Sequence, residues 1–114
     1  MSVRIPKHRV PTHPGEMLLE EYLKPLGVTQ AAAAKLLDIS RNRLNEIVMA
    51  RRGVTPDTAL RLERVFGASA QSWLNLQLAW DLYHAEHGPA ARAIRSLKRA
   101  EGLPELDEAL AAAG

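Results

Sequence analysis

Between Thr29 and Val54 the apolar residues recur at helical spacing in two short runs, and a polar break separates them. The first run predicts a helix over Gln30 to Leu37, rich in alanine and leucine and therefore of high helix propensity. Thr29 precedes it as an N-cap. Asp38-Ile39-Ser40 breaks the pattern: aspartate tolerates a left-handed backbone, and Ser40 can cap a second helix from Arg41 to Val48 or Met49. Two helices crossing steeply over so short a turn need a small residue at their contact, and Ala34 supplies one. Ala33, Leu37, Ile39, Leu44 and Ile47 then point into a shared core. Arg41, Asn42, Arg43, Asn45 and Glu46 are left facing outward.

The same reading extends along the chain. Residues 1–12 are basic, interrupted by Pro6 and Pro11, and read as an extended arm. His13-Pro14-Gly15-Glu16 starts a helix, with proline in the first turn and acids in the N-terminal half, and Pro25 and Gly27 end it. Thr55-Pro56-Asp57 starts another, with Ala59, Leu62, Val65 and Phe66 as its apolar face and Gly67 as its stop. Ser69 caps a longer helix that runs to His84–His87. On it Trp73, Leu76, Gln77 and Trp80 share a face, flanked by a stripe of Leu74, Leu78 and Leu82. After Gly88-Pro89 a further helix is expected from Ala90 to Ala100, and Gly102 breaks it. Leu103, Leu106 and Leu110 give the tail a weak amphipathic pattern. The implied organisation is an arm (1–12), a helical domain (13–87) and a C-terminal helical extension (88–114).

Composition sharpens this picture. The chain has 114 residues, 46% of them apolar, with few aromatics and no cysteine. An all-α fold follows, and disulfides and cysteine-ligated metals are excluded. No apolar run is long enough for a bilayer, and no signal peptide opens the chain, so the expected location is cytoplasmic. The net charge is only +2. Its distribution matters more: residues 41–64 carry six arginines against three acids, residues 92–99 carry four basic groups and no acid, and acids collect between Glu101 and Glu108.

The outward residues of the second helix carry the candidate chemistry. Arginine grips guanine bidentately and asparagine grips adenine, and a DNA-reading helix presents its first turns to base edges. Arg41, Asn42 and Asn45 are the expected base readers. Thr29, Gln30, Ser40 and Arg43, with Arg51 and Arg52 in the following loop, are the expected phosphate contacts. Trp73, Leu76, Gln77 and Trp80 offer more apolar surface than one helix needs, and read either as a two-fold dimer interface or as protomer core. Enzymatic alternatives are thin. His8, His13 and Glu16 form no known constellation, and His84 and His87 lack a third ligand at a metal-binding spacing. No catalytic residue, metal or cofactor is expected.

His13-Pro14-Gly15-Glu16, Gly27-Val28-Thr29-Gln30, Ser40-Arg41-Asn42-Arg43, Arg52-Gly53-Val54-Thr55, Asp57-Thr58-Ala59-Leu60-Arg61-Leu62 and Ser72-Trp73-Leu74-Asn75-Leu76-Gln77 follow one another in an order that resembles the HigA family of antitoxins, a branch of the Xre/Cro-type repressors. The match covers roughly residues 13 to 85. The resemblance implies a five-helix, lambda-repressor-like helix-turn-helix domain, usually a homodimer, that binds double-stranded operator DNA and represses its own operon. It also implies a HigB-like toxin partner, a small basic ribonuclease that cleaves messenger RNA on the ribosome. By position it places Gln30 at the start of the first DNA-facing helix and Ser40, Arg41, Asn42, Arg43 and Asn45 on the recognition helix. Asp38 stands where many members have glycine, so a slightly different turn is expected, and residues 88–114 extend past the common core. A stand-alone repressor of the same fold without a toxin remains the alternative.

Overall fold

The structure, a computed structural model, describes residues 9–100 and 104–113. Arg4 and Lys7 of the expected arm, and Glu101 of the acidic tail, lie outside the described residues. Every regular element among those described is helical. The chain divides into two compact units after His84.

The first unit begins with α1 (Pro14–Leu18), which runs without a break into a π-helical turn (Leu19–Leu23) and then α2 (Lys24–Leu26). The π turn has a local cause. Pro25 has no N–H to give the carbonyl four residues back, and its ring crowds that carbonyl. The backbone widens, and the Lys24 N–H donates to the Leu19 carbonyl instead. Gly27 (φ +66°) stops the rod in the left-handed region. Next come α3 (Gln30–Leu37) and α4 (Arg41–Val48), with the bounds and caps the sequence predicts: Thr29 Oγ1 accepts from Ala32 N at 3.1 Å and Ser40 Oγ from Arg43 N at 3.0 Å. Then α5 (Pro56–Phe66) and α6 (Ala70–Glu86) follow.

Asp38 closes α3 in the left-handed region (φ +53°), with its own N–H on Lys35 O and the Ile39 N–H on Ala34 O. Aspartate here takes the backbone conformation that glycine favours. Ala33, Ala34, Leu37, Leu44 and Ile47 are buried together with Leu18, Leu23, Ala59, Leu62 and Trp73, and Ile39 packs against them half-buried. Gly15 brings α1 directly against α4: a Cβ there would lie 1.8 Å from the Ile47 carbonyl oxygen.

The second unit contains α7 (Ala91–Arg95) and α8 (Pro104–Ala113). The helix expected over Ala90 to Ala100 is cut short after Arg95. There the Ser96 hydroxyl bonds back to the Arg92 carbonyl at 2.9 Å, a local bond that competes with helix propagation.

Candidate nucleic-acid interface

The outer face of α4 and the start of α3 form one surface. Gln30, Arg41, Asn42 and Asn45 line an open groove of about 560 Å³. Asn45 Nδ2 donates to Gln30 Oε1 at 3.1 Å, tying the two helices through their amides. The side chains of Arg41 and Arg51 are exposed and make no hydrogen bond or ion pair with any described residue. Thr29 and Ser40 are exposed at the helix starts. Their oxygens accept from backbone N–H groups, which leaves each hydroxyl hydrogen available for an anion.

Glu46 is the sole acid on α4. It accepts from Asn42 Nδ2 at 2.8 Å and from Arg52 Nε at 3.2 Å. Its backbone carbonyl also accepts from Arg51 N (2.8 Å) and Arg52 N (3.2 Å), while Ala50 N reaches Ile47 O. This doubly bonded closure requires Ala50 at φ +58°, an alanine in a position that favours glycine.

Arg43, expected as a phosphate contact, has partners within the protein. It leans away from the outer face and donates to Asp57 Oδ2 (3.0 Å) and to the buried hydroxyl of Thr58. Asp57 also receives Arg61 Nε at 2.9 Å, and Arg61 Nη1 donates to the Leu37 and Asp38 carbonyls that end α3. The cluster clamps α3, α4 and α5 together. Hydrogen bonds from Arg61 and then Arg43 hold the Asp57 carboxyl below its ordinary pKa, and Asp57 raises that of Arg61. Arg43 thus reads first as a strut between helices.

The Arg51-Arg52 loop has its own support, which sequence reasoning missed. Gln77 Oε1 accepts from Val54 N at 2.8 Å, Gln77 Nε2 donates to Asp81 Oδ1 at 2.9 Å, and Gly53 passes close enough that a Cβ would lie 3.0 Å from Gln77 Cδ. Gln77 and Trp73 are thus taken into the protomer's own core, at 9% and 1% exposure. Of the four residues expected at a dimer interface, only Leu76 and Trp80 keep surface, because α6 uses Trp73 and Gln77 to hold the core and the loop. Trp80 stacks edge-on with His13, ring centres 5.0 Å apart. His13 is buried, and its Nδ1 accepts from Gly15 N at 2.9 Å, capping α1. Burial lowers its pKa, against the opposing pull of Asp81 and Glu16. The signal that could have revealed this cap was there: a histidine placed directly before Pro-Gly at a helix start.

His84 packs against Trp80 and Tyr83. Among the described residues no three His, Cys, Asp or Glu side chains are grouped to hold a metal ion, and no helix is long and apolar enough to cross a membrane.

Comparison with known proteins agrees with this architecture. The helix-turn-helix family HTH_3 matches residues 19–73. Virulence-associated protein I of Dichelobacter nodosus is 58% identical over 87 residues, 75% of this chain and 81% of that protein. Antitoxin GraA, solved in complex with its operator, aligns with a TM-score of 0.75 at 37% identity, covering 87% of this chain and 100% of that one. Pseudomonas aeruginosa antitoxin HigA, solved with the higBA promoter, gives a TM-score of 0.74 at 36% identity over 80% and 99% of the two chains.

Proposed function

Because the chain belongs to the HigA family of Xre-type helix-turn-helix proteins, we propose that it is an antitoxin-repressor. In this reading a homodimer grips double-stranded operator DNA and represses its own operon, and the same protein neutralises a HigB-like ribonuclease toxin. The observation that carries the reading is the outer face of α4, where Arg41, Asn42 and Asn45 stand around an open groove beside Gln30 with no apolar residue among them.

Arg41, Asn42 and Asn45 read bases. Thr29, Gln30, Ser40, Arg51 and Arg52 hold phosphates, and Arg43 positions the helix that carries the readers. The acid-bearing segment Glu101 to Glu108 suits a basic partner. Two solved relatives, GraA with its operator and HigA with the higBA promoter, support the DNA half of the reading.

The test is binding to the duplex upstream of the protein's own reading frame, measured by fluorescence anisotropy. Arg41→Ala and Asn42→Ala are each expected to cost about 1–3 kcal/mol on that duplex, with little loss on scrambled DNA. Unchanged affinity and sequence preference in both variants would remove the base-reading assignment. Co-purification with the product of the neighbouring reading frame separates the antitoxin from a stand-alone repressor.

A further inference from the structure

An acid on a DNA-facing helix opposes phosphate binding, so Glu46 calls for a reason. Its geometry supplies one. One carboxylate oxygen faces Asn42 at 2.8 Å and the other faces Arg52 at 3.2 Å. A carboxylate only accepts, so the Asn42 side chain must turn its NH2 group toward Glu46 and its Oδ1 the other way. A free asparagine flips its amide and offers either end to a base. This one is held with an acceptor outward, backed by at most one remaining N–H. That edge complements a base bearing an exocyclic amino group in the major groove, adenine above all. It opposes guanine, which offers two acceptors there.

We infer that Glu46 is a specificity-determining positioning residue: by fixing the Asn42 amide it makes the protein demand an amino-bearing base at one operator position and reject guanine. The inference rests on the DNA-binding reading above. The bond to Arg52 offsets the carboxylate charge and joins this reader to the phosphate-facing loop.

Selection from a random duplex library, followed by sequencing, tests it without knowledge of the operator. The wild type is expected to select a motif in which one position favours adenine or cytosine over guanine by about 10-fold or more. Glu46→Gln, whose amide can donate as well as accept, is expected to keep the fold by circular dichroism and the rest of the motif, and to erase that single preference. Asn42→Ala is expected to erase the same preference, and the double variant no more than Asn42→Ala alone. A purely structural role for Glu46 would lower all sequences together and leave the motif intact. A wild type that selects no motif overturns the DNA-binding reading and this inference with it. A motif that survives Glu46→Gln at every position overturns this inference alone.

Discussion

Gly15 lies so close to Ile47 that a single added carbon would stand 1.8 Å from the Ile47 carbonyl oxygen and 3.0 Å from the Cα of Val48. The obstacle is backbone on both sides, buried at the junction of α1 with the last turn of α4, so no side chain can swing away. Gly15→Ala should therefore push α1 off α4. The expected cost is about 1–3 kcal/mol, the range for overpacking a tight core, with a fall of the thermal midpoint by roughly 4–8 °C per kcal/mol. Urea and thermal unfolding check this, and an unchanged midpoint would mean the contact is loose.

Ala50 holds the opposite kind of strain. Its φ of +58° closes α4, where the left-handed region costs a side-chain-bearing residue about 1–2 kcal/mol. Ala50→Gly relieves that cost but adds freedom to the unfolded chain, worth about 0.5–1 kcal/mol in the other direction. The expected net is a gain of a few tenths to about 1 kcal/mol in urea unfolding. A loss would show that the Ala50 methyl makes a contact that outweighs its strain.

These two positions also show what was legible in the sequence. The bounds of α3 and α4 could be read because their determinants are local: Thr29 and Ser40 cap within three residues, and alanine and leucine supply propensity and core together. The clustering of Arg41, Asn42 and Asn45 followed from helical periodicity alone. The π turn, the capping by His13, the burial of Gln77 and the clamp on Arg43 were not legible in this way. Gln77 meets Val54 across 23 positions and Arg43 meets Thr58 across 15, while the π turn before Pro25 and the His13 cap on Gly15 are local departures from the regular helical pattern. Periodicity places a side chain on a face but does not say which neighbour covers that face.

His13 predicts a pH dependence. Buried, it caps α1 through Nδ1 as an acceptor, a role that protonation abolishes. Its pKa is lowered from the ordinary 6.5, so the folded chain binds the proton less readily than the unfolded one. Stability from this site is full above about pH 6.5 and declines as pH falls from there toward the folded value. Glu16 and Asp81 partly counter the decline. Asp57, also lowered, acts in a separate and more acid window: its contribution is present above 3.8 and lost as pH falls below that. His13→Asn keeps an oxygen that can cap and does not titrate. Denaturant midpoints between pH 7 and 5 should fall for the wild type and stay flatter for the variant. Parallel profiles would exclude His13 as the source.

Arg51 and Arg43 predict opposite behaviours on DNA. The Arg51 side chain is exposed and its guanidinium bonds no described residue, so its charge is available to a phosphate. Arg51→Ala should flatten the dependence of log affinity on log salt by about one unit, weaken all duplexes alike, and leave the unfolding midpoint unchanged. Arg43 stands 3.0 Å from Asp57, and its side chain keeps 28% exposure. With an acid already offsetting its charge, it releases few counterions, and removing it takes one of two guanidinium donors from Asp57, which keeps Arg61, and the guanidinium donor from the Thr58 hydroxyl. Arg43→Ala should therefore lower stability by about 1 kcal/mol while changing the salt slope little. If instead Arg43→Ala flattens the slope as far as Arg51→Ala does, the guanidinium leaves Asp57 for a phosphate when DNA arrives, and the strut seen in the free protein is also a contact.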